Sequence, residues 1–367
     1  MLKKKFEKLL KPADIKINGK RPWDITVHND SFYSRLLLGS LGFGESYMEG
    51  LWDCEQLDSM FCRLVKSSVD SQTIRLDKIL MDIAGKLVNL QTRSRSKKVA
   101  EIHYDLGNDF YRTMLDPYMQ YTCGYWAHAD TLSDAQRDKL DLVCRKLHLQ
   151  PKEKVLEMGC GWGGFARFAA EHYGCHVTAV NISKEQVAYA RTFCKGLPVK
   201  IVHSDYRDVK GQYDKVVSIG MLEHVGYKNY EAFTKHVFNC LKPGSIALIH
   251  SIGNNTSSVS QDPWLDKYIF PGSKCPSIRQ IAEAGEPYLI MEDLHNFGTD
   301  YDRTLMAWYD NFIAHWPQFE STYGKRFFRM WSYYLLMCAG LFRARKTQLW
   351  QIVFSRGGVE GGYRSIR

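Results

Sequence analysis

Val155-Leu156-Glu157-Met158-Gly159-Cys160-Gly161-Trp162-Gly163-Gly164 is the stretch on which the fold turns. A short apolar run carries one acid, Glu157, and then breaks into four glycines within six residues. A helix-like segment follows, Phe165-Ala166-Arg167-Phe168-Ala169-Ala170. Strand, tight glycine turn and helix form the opening unit of a nucleotide-type α/β sheet. Glycine tolerates positive φ and lets the main chain approach a ligand closely. No GKS/T follows and the spacing is not G-x-G-x-x-G, so neither the phosphate loop nor the dinucleotide fingerprint is present.

Outward from this turn the alternation is regular. Strands are expected near 154–158, 176–181, 198–203, 214–219 and 244–251, and helices near 164–173, 184–194 and 229–241. Alternation at this spacing predicts a parallel, doubly wound sheet. Upstream, 133–148 reads as a helix with Ser133 as N-cap. Downstream, helices near 302–315 and 324–344 lead to a last strand over 348–355, which suits an antiparallel edge.

The first ninety residues or so are less regular. Lys20-Arg21-Pro22-Trp23-Asp24 reads as a turn, Ile25-Thr26-Val27-His28 as a short strand, and Leu41-Gly42-Phe43-Gly44-Glu45-Ser46-Tyr47 is punctuated by glycine. Residues 57–66 and 72–90 have helical periodicity. The basic stretch Arg93-Ser94-Arg95-Ser96-Lys97-Lys98 reads as an exposed linker and sets a domain boundary near residue 95, dividing the chain into 1–95 and 96–367.

At 367 residues, 45% hydrophobic and 24% charged, the chain is an ordinary globular protein of one large or two smaller domains. No apolar run approaches 18 residues, so no transmembrane helix is expected. Basic Met1-Leu2-Lys3-Lys4-Lys5-Phe6-Glu7-Lys8 has no apolar stretch behind it, so it does not read as a secretory signal. Ten cysteines lack CxxC spacing, which predicts free thiols in a reducing compartment. His172-x-x-Cys175-His176 falls across a helix–strand junction without a second cluster, so no metal is expected. Of the formal net charge of +9, residues 1–100 contribute +6 (18 Lys/Arg, 12 Asp/Glu). That surplus favours an anionic partner, membrane or nucleic acid, or serves solubility.

The order acidic-x-G-x-G-x-G resembles the loop of class I S-adenosylmethionine-dependent methyltransferases. Ligands lie at the carboxyl ends of strands in such sheets. On that resemblance the first strand supplies Glu157, Gly159, Cys160, Gly161 and Gly163. The second supplies Asn181, Ile182 and Ser183, with Gln186 a turn into the next helix. The third supplies Asp205, Tyr206 and Arg207, the acid being suited to the adenine amino group. Asn181 stands where an acid commonly holds the ribose hydroxyls, a departure from the general pattern.

Further motifs narrow the family. They are His103-Tyr104-Asp105-Leu106-Gly107-Asn108, Asp116-Pro117-Tyr118-Met119-Gln120-Tyr121-Thr122-Cys123-Gly124-Tyr125-Trp126 and Ser218-Ile219-Gly220-Met221-Leu222-Glu223-His224-Val225-Gly226. After them come His250-Ser251-Ile252-Gly253, Asp262-Pro263-Trp264-Leu265-Asp266-Lys267-Tyr268-Ile269-Phe270-Pro271, Phe297-Gly298-Thr299-Asp300-Tyr301 and Leu305-Met306-Ala307-Trp308-Tyr309. Together, from about residue 30 to residue 355, these resemble the cyclopropane-fatty-acyl-phospholipid synthases. The N-terminal extension is similar to that of the bacterial synthases rather than the mycolic-acid enzymes.

The resemblance implies an α/β protein: a doubly wound, seven-stranded, Rossmann-like methyltransferase sheet with a smaller, mainly helical N-terminal domain. It implies methyl transfer from S-adenosylmethionine to a cis double bond of a phospholipid acyl chain, a carbocation, and loss of a proton from the new methyl to bound bicarbonate as the ring closes. Cys123, Glu223, His250, Ile252 and Tyr301 are the implied bicarbonate set, and Tyr121 and Thr122 join the cofactor set. His250, Tyr301 and the backbone N–H groups near Cys123 and Ile252 are suited to donate to the anion. Glu223 either orients His250, shares a proton with the anion, or adds negative potential near the sulfonium. The aromatic group Tyr104, Tyr118, Tyr121, Tyr125 and Trp126 reads as core or as π faces near a cation.

The resemblance also implies an anionic membrane surface, a homodimer, and a cytoplasmic protein peripheral to the inner face of the membrane, without nucleic acid. Two other readings of the pattern stay open. One is a methyltransferase that stops at methylation. The other is a basic nucleic-acid-binding protein that retains the fold, although the Asn/Asp-Pro-Pro-Tyr/Phe motif of amino-methylating enzymes is absent from the sequence.

Overall fold

The computed structural model describes residues 2–67, 107–258 and 261–367. The expected helix over 72–90, the basic stretch 93–98, the boundary near 95 and Tyr104 lie outside the described residues. Two compact units are present, and they are not contiguous in sequence. One gathers described residues of Met1–Val88, Val259–Pro271 and Tyr301–Thr347, the other those of Asn89–Ser258, Gly272–Asp300 and Gln348–Arg367. The helices after residue 300 thus pack with the N-terminal segment, whereas the linear division at 95 places them with the sheet.

The second unit is built on a seven-stranded sheet. Its strands are β1 (Lys154–Met158), β2 (His176–Asn181), β3 (Val199–His203), β4 (Tyr213–Ile219), β5 (Leu241–Asn254), β6 (Ile290–Asn296) and β7 (Thr347–Ser355). Their order is β3-β2-β1-β4-β5-β7-β6. The five central and early strands pair in parallel, and β6 pairs antiparallel with β7. Register sets Met158 opposite Val180, Asn181 opposite His203, and Ile219 opposite His250, so these strands end along one edge.

Period-2 alternation divides the core. Val155, Ala179, Val217, Leu248 and Val353 face one layer, where Leu140, Val143, Phe165 and Ala169 of helices Leu132–Lys146 and Gly164–Tyr173 meet them. Leu156, Val180, Val216, Ile249 and Ile352 face the other, against Phe233 and Val237 of helix Tyr230–Cys240. Each Val, Leu, Ile or Phe among these, on either face of the sheet, contributes ~1.5–3 kcal/mol by its burial.

Two expectations need correction. The last strand is not an edge: β7 lies between β5 and β6, and it is buried along almost its whole length, whereas β6 is largely exposed. A near-continuous apolar run, Leu349-Trp350-Gln351-Ile352-Val353-Phe354, belongs in a sheet interior. The true edge, β6, carries Glu292 and Asp293 and gave no strand pattern. The N-cap of helix Leu132–Lys146 is Thr131, not Ser133; its Oγ1 accepts the Asp134 N–H at 3.1 Å.

The first unit is helical with an aromatic core. Phe43 stacks on Trp52 at 4.4 Å, and Trp264 meets Tyr333 at 4.6 Å. The glycine-punctuated segment is the helix Gly39–Met48. Glycine is required there because a Cβ on Gly44 would lie 2.4 Å from Trp264 Cδ1. Glu45 on the same helix accepts from Lys267 Nζ (2.6 Å) and Tyr268 OH (2.7 Å). Thr26–Val27 pairs with Trp52–Asp53, which realises the short N-terminal strand.

Candidate active site

Positive φ at Gly159 (81°), Gly161 (51°) and Gly163 (86°) shapes the turn after β1. A Cβ on Gly161 would meet nothing within 4 Å, so the turn presents bare backbone to open space. Glu157 is buried, and its Oε2 makes no hydrogen bond to a described residue. Burial pushes its carboxyl up, against the attraction of Lys139 and the Ala166 N–H. Open glycine backbone, with a buried acid that keeps one carboxyl oxygen without a described partner beside it, fits a polar cosubstrate bearing an amine and hydroxyls. Cys160 is buried and its N–H is engaged by Val180 O at 3.0 Å, so it braces the turn from inside.

Asn181 explains its own departure from the acidic pattern. Its Nδ2 donates to Gly161 O (3.1 Å) and to Gln186 Oε1 (2.8 Å), while its Oδ1 accepts the Ser183 N–H (3.2 Å). A carboxylate has no hydrogen to give either acceptor. Ser183 caps helix Lys184–Phe193, Ile182 O meets His203 Nε2 at 3.0 Å, and Gln186 is buried. At the end of β3, Asp205 is held by Arg207 through Nε (2.8 Å), NH2 (2.5 Å) and the backbone N–H (3.0 Å). The Tyr206 ring stands edge-on to Phe233 at 5.6 Å.

The segment before helix Leu132–Lys146 brings Tyr121 and Thr122 to this unit. Tyr121 meets Tyr111 at 5.3 Å, and Tyr111 meets Trp162 of the glycine turn at 4.9 Å. Thr122 is anchored by Lys139 Nζ on its Oγ1 (2.9 Å) and by Gln136 Nε2 on its carbonyl (2.7 Å). Tyr118 packs on Phe168 (5.4 Å), Tyr125 on Phe297 (5.3 Å), and Trp126 is buried, which makes these three core contacts.

Glu223 lies on the short helix Leu222–Val225 just past β4. Its Oε1 accepts the Ile252 N–H at 2.6 Å, and its Oε2 makes no hydrogen bond to a described residue. Burial pushes the carboxyl up to about 7, with the Ile252 N–H and Ser251 acting against it. The Ile252 N–H is therefore engaged by Glu223 rather than held ready for an anion. His250 stands two residues earlier on β5, on the same face as Ile252. It is 1% exposed, and its Nε2 makes no hydrogen bond to a described residue. Burial first, and then the Lys139 and Lys146 cations, hold His250 far below the usual imidazole range, so the ring is neutral. Its contact is Gln351 Nε2, 3.3 Å from Nδ1; Glu223 is not its orienting group. Cys123 is fully buried, with its thiol on Gly124 O at 3.1 Å. Tyr301 belongs to the first unit, on helix Asp300–His315, stacked on Phe342 at 4.5 Å.

Residues 91–352 match the mycolic acid cyclopropane synthetase family. The chain belongs to that family. A cyclopropane-fatty-acyl-phospholipid synthase of Escherichia coli (strain K12) is 51% identical to it, over 98% of this chain and 94% of the relative. A probable fatty acid methyltransferase of Pseudomonas putida is 35% identical, over 71% and 69%. Among solved structures, the mycolic acid cyclopropane synthase CmaA1 complexed with SAH and CTAB is 27% identical. It superposes with a TM-score of 0.66 over 71% of this chain and 98% of its own. Coclaurine N-methyltransferase, 20% identical with a TM-score of 0.70 over 85% of this chain and 98% of its own, shares the fold. As a cyclopropane synthetase-family member, the chain is an S-adenosylmethionine-dependent methyltransferase with the α/β Rossmann-like sheet of that class.

Three polar residues that hold Thr122 and His250 escaped the sequence reading: Gln136, Lys139 and Gln351. All are fully buried. Lys139 Nζ also donates to Gln120 Oε1 at 2.5 Å, and burial pushes its ammonium down toward the neutral form. The available signal was positional. Gln136 and Lys139 fall on the buried stripe of their helix with Leu140 and Val143, and Gln351 interrupts an apolar strand. A polar side chain on a face that must be buried needs a partner.

Proposed function

We propose that this chain transfers a methylene from S-adenosylmethionine across the cis double bond of an unsaturated phospholipid acyl chain, with bicarbonate held in the site. The observation that carries this reading is that two buried polar atoms, Glu223 Oε2 and His250 Nε2, each lack a described partner, one just past β4 and the other on β5 opposite the last residue of β4. A carboxyl held at about 7 and a neutral imidazole suit a small anion that carries its own proton. When bound, bicarbonate supplies the acceptor for the proton lost as the ring closes. Glu223, held in place by the Ile252 N–H, shares one proton with that anion. His250 donates to it without adding a positive charge beside the reacting carbons. Cys123 closes the site with an apolar wall that excludes water. Tyr301 stays in the set on the sequence pattern. The alkene is a poor nucleophile, so holding it against the sulfonium contributes much of the acceleration. Glu157 and the Gly161 backbone do that holding for the cosubstrate.

The double bond lies midway along an acyl chain. Exposing about ten methylenes to water costs ~8 kcal/mol at ~0.8 kcal/mol each, so the chain must pass from bilayer to protein directly. Among the described residues no helix is long and apolar enough to cross a membrane. In the first unit, helix Leu2–Leu10 turns Phe6 onto Phe32 (5.5 Å) and leaves Lys4, Lys5 and Lys8 exposed. Lys3 lies over the Tyr33 ring at 6.0 Å, and the turn just beyond exposes Leu37 (71%) and Leu38 (54%). Exposed cations and exposed leucines in one unit match an anionic bilayer, with an attraction that salt weakens. A peripheral position on the cytoplasmic face of the membrane, and a homodimer, complete this reading.

The test is incubation with methyl-labelled S-adenosylmethionine and monounsaturated anionic phospholipid vesicles, with bicarbonate present or removed. Label in a ring methylene that falls without bicarbonate is expected. Label in a methyl branch moves the reaction to simple methylation. No label in lipid from protein that binds S-adenosylmethionine rejects the substrate class.

A further inference from the structure

Between Leu349 and Phe354 every residue of β7 is apolar except Gln351, which is fully buried. A buried amide is destabilising unless its hydrogens and lone pairs find partners. The Gln351 Nε2 lies 3.3 Å from His250 Nδ1, and Oε1 makes no hydrogen bond to a described residue. An amide nitrogen offers only hydrogens. With the amide nitrogen turned to the ring, the imidazole nitrogen facing it is the one with the lone pair, which assigns the ring proton to Nε2. Phe297, edge-on to the imidazole at 5.9 Å, limits rotation of the ring.

We propose that Gln351 is a positioning residue, whose amide locks neutral His250 in the tautomer protonated at Nε2 and so equips the buried end of β5 with a single N–H donor for a small anion. The inference rests on the bicarbonate reading for the identity of the anion, but the tautomer itself is independent of that reading. The opposite arrangement, with the Gln351 carbonyl on Nδ1–H, would turn Nε2 into an acceptor and repel an anion. The side chain chosen on β7 thus decides whether the site attracts or rejects its ligand.

The experiment uses the full chain labelled with ring-¹⁵N histidine, the His250 signals being assigned by their loss in His250→Gln. Expected for the native chain is a bare Nδ1 and a protonated Nε2. Gln351→Glu, which offers Nδ1 only an acceptor when ionised, reverses the two signals. Gln351→Leu releases the preference, raises the KM for bicarbonate or lowers kcat by about 10- to 100-fold, and leaves the Kd for S-adenosylmethionine unchanged. Unchanged cosubstrate binding shows that the fold is intact, and if the buried Glu variant does not fold, the Leu variant decides. A native ring protonated at Nδ1 overturns the proposal, as does Gln351→Leu with native kcat and native bicarbonate KM. If bicarbonate has no effect on the native enzyme while Gln351 still controls the tautomer, the positioning role stands and the bicarbonate reading falls.

Discussion

The Ile252 N–H donates to Glu223 Oε1 at 2.6 Å, which joins the helix after β4 to the end of β5. One carboxyl oxygen is engaged by the backbone, and the other makes no hydrogen bond to a described residue. Glu223→Gln keeps an acceptor for Ile252 but removes the proton that the proposed mechanism shares with the anion. Turnover is expected to fall by about 10²–10⁴-fold, the usual weight of a positioned proton-transfer group. Cosubstrate affinity, read by calorimetric titration, should stay within about twofold. Near-native turnover would remove Glu223 from the reaction.

The same carboxyl has a pH signature in stability. Burial raises it from 4.5 to about 7, so the folded chain binds this proton more tightly than the unfolded chain. Stability from this group is therefore lost as pH rises from 4.5 to 7. Glu223→Gln escapes that loss and gains about 3 kcal/mol over the native chain above pH 7, and almost nothing below pH 4.5. Melting temperatures at both ends of that range read the difference. A gap that does not change with pH would contradict the burial of an ionisable Glu223.

Gly161 has φ 51° and open space where a Cβ would stand. The Cβ of a valine there meets nothing within 4 Å, and the left-handed backbone costs about 1–2 kcal/mol. Gly161→Val should fold, with a lowered melting temperature, and lose at least tenfold in S-adenosylmethionine affinity. Retained affinity would place the cosubstrate elsewhere.

Asn181→Asp restores the acid of the general pattern and is expected to harm the protein. It replaces two donated hydrogen bonds, to Gly161 O and Gln186 Oε1, with repulsion between oxygens. Each lost bond costs about 1–3 kcal/mol where the acceptor stays buried. The cosubstrate Kd should rise and the melting temperature fall together. A tighter Kd would show Asn181 facing the ribose instead.

Leu37→Ser with Leu38→Ser tests the bilayer contact. Sedimentation with anionic vesicles should weaken severalfold while S-adenosylmethionine binding is unchanged, because both side chains are exposed. Vesicle binding equal to the native chain would exclude this turn from the contact.

Much of the sheet could be read in advance because its signals are local. Observed β1 and β2 coincide with the expected 154–158 and 176–181, since an apolar run closed by glycine or a cap depends on neighbouring residues alone. The glycine turn was legible for the same reason. The edge strand β6 was not, because Glu292, Asp293 and an exposed face erase the apolar pattern, and its pairing with β7 spans some fifty intervening residues. In the site, residue types at strand ends were legible. Their partners were not: Asn181 as a brace for Gly161, the Ile252 N–H turned onto Glu223, and Lys139 beneath Thr122.

By itself, the sequence determined the α/β class, the glycine cradle, the acids and imidazole at the strand ends, and the family pattern. Periodicity, backbone freedom and side-chain chemistry are properties of short segments. Only the tertiary structure decided that β7 enters the sheet interior, that helices after residue 300 join the N-terminal unit, and that Gln351 faces His250. Those outcomes depend on which distant segments share a buried face. In a buried site that choice also sets protonation, because desolvation and the partner's hydrogens decide whether Glu223 keeps its proton and which nitrogen of His250 carries one.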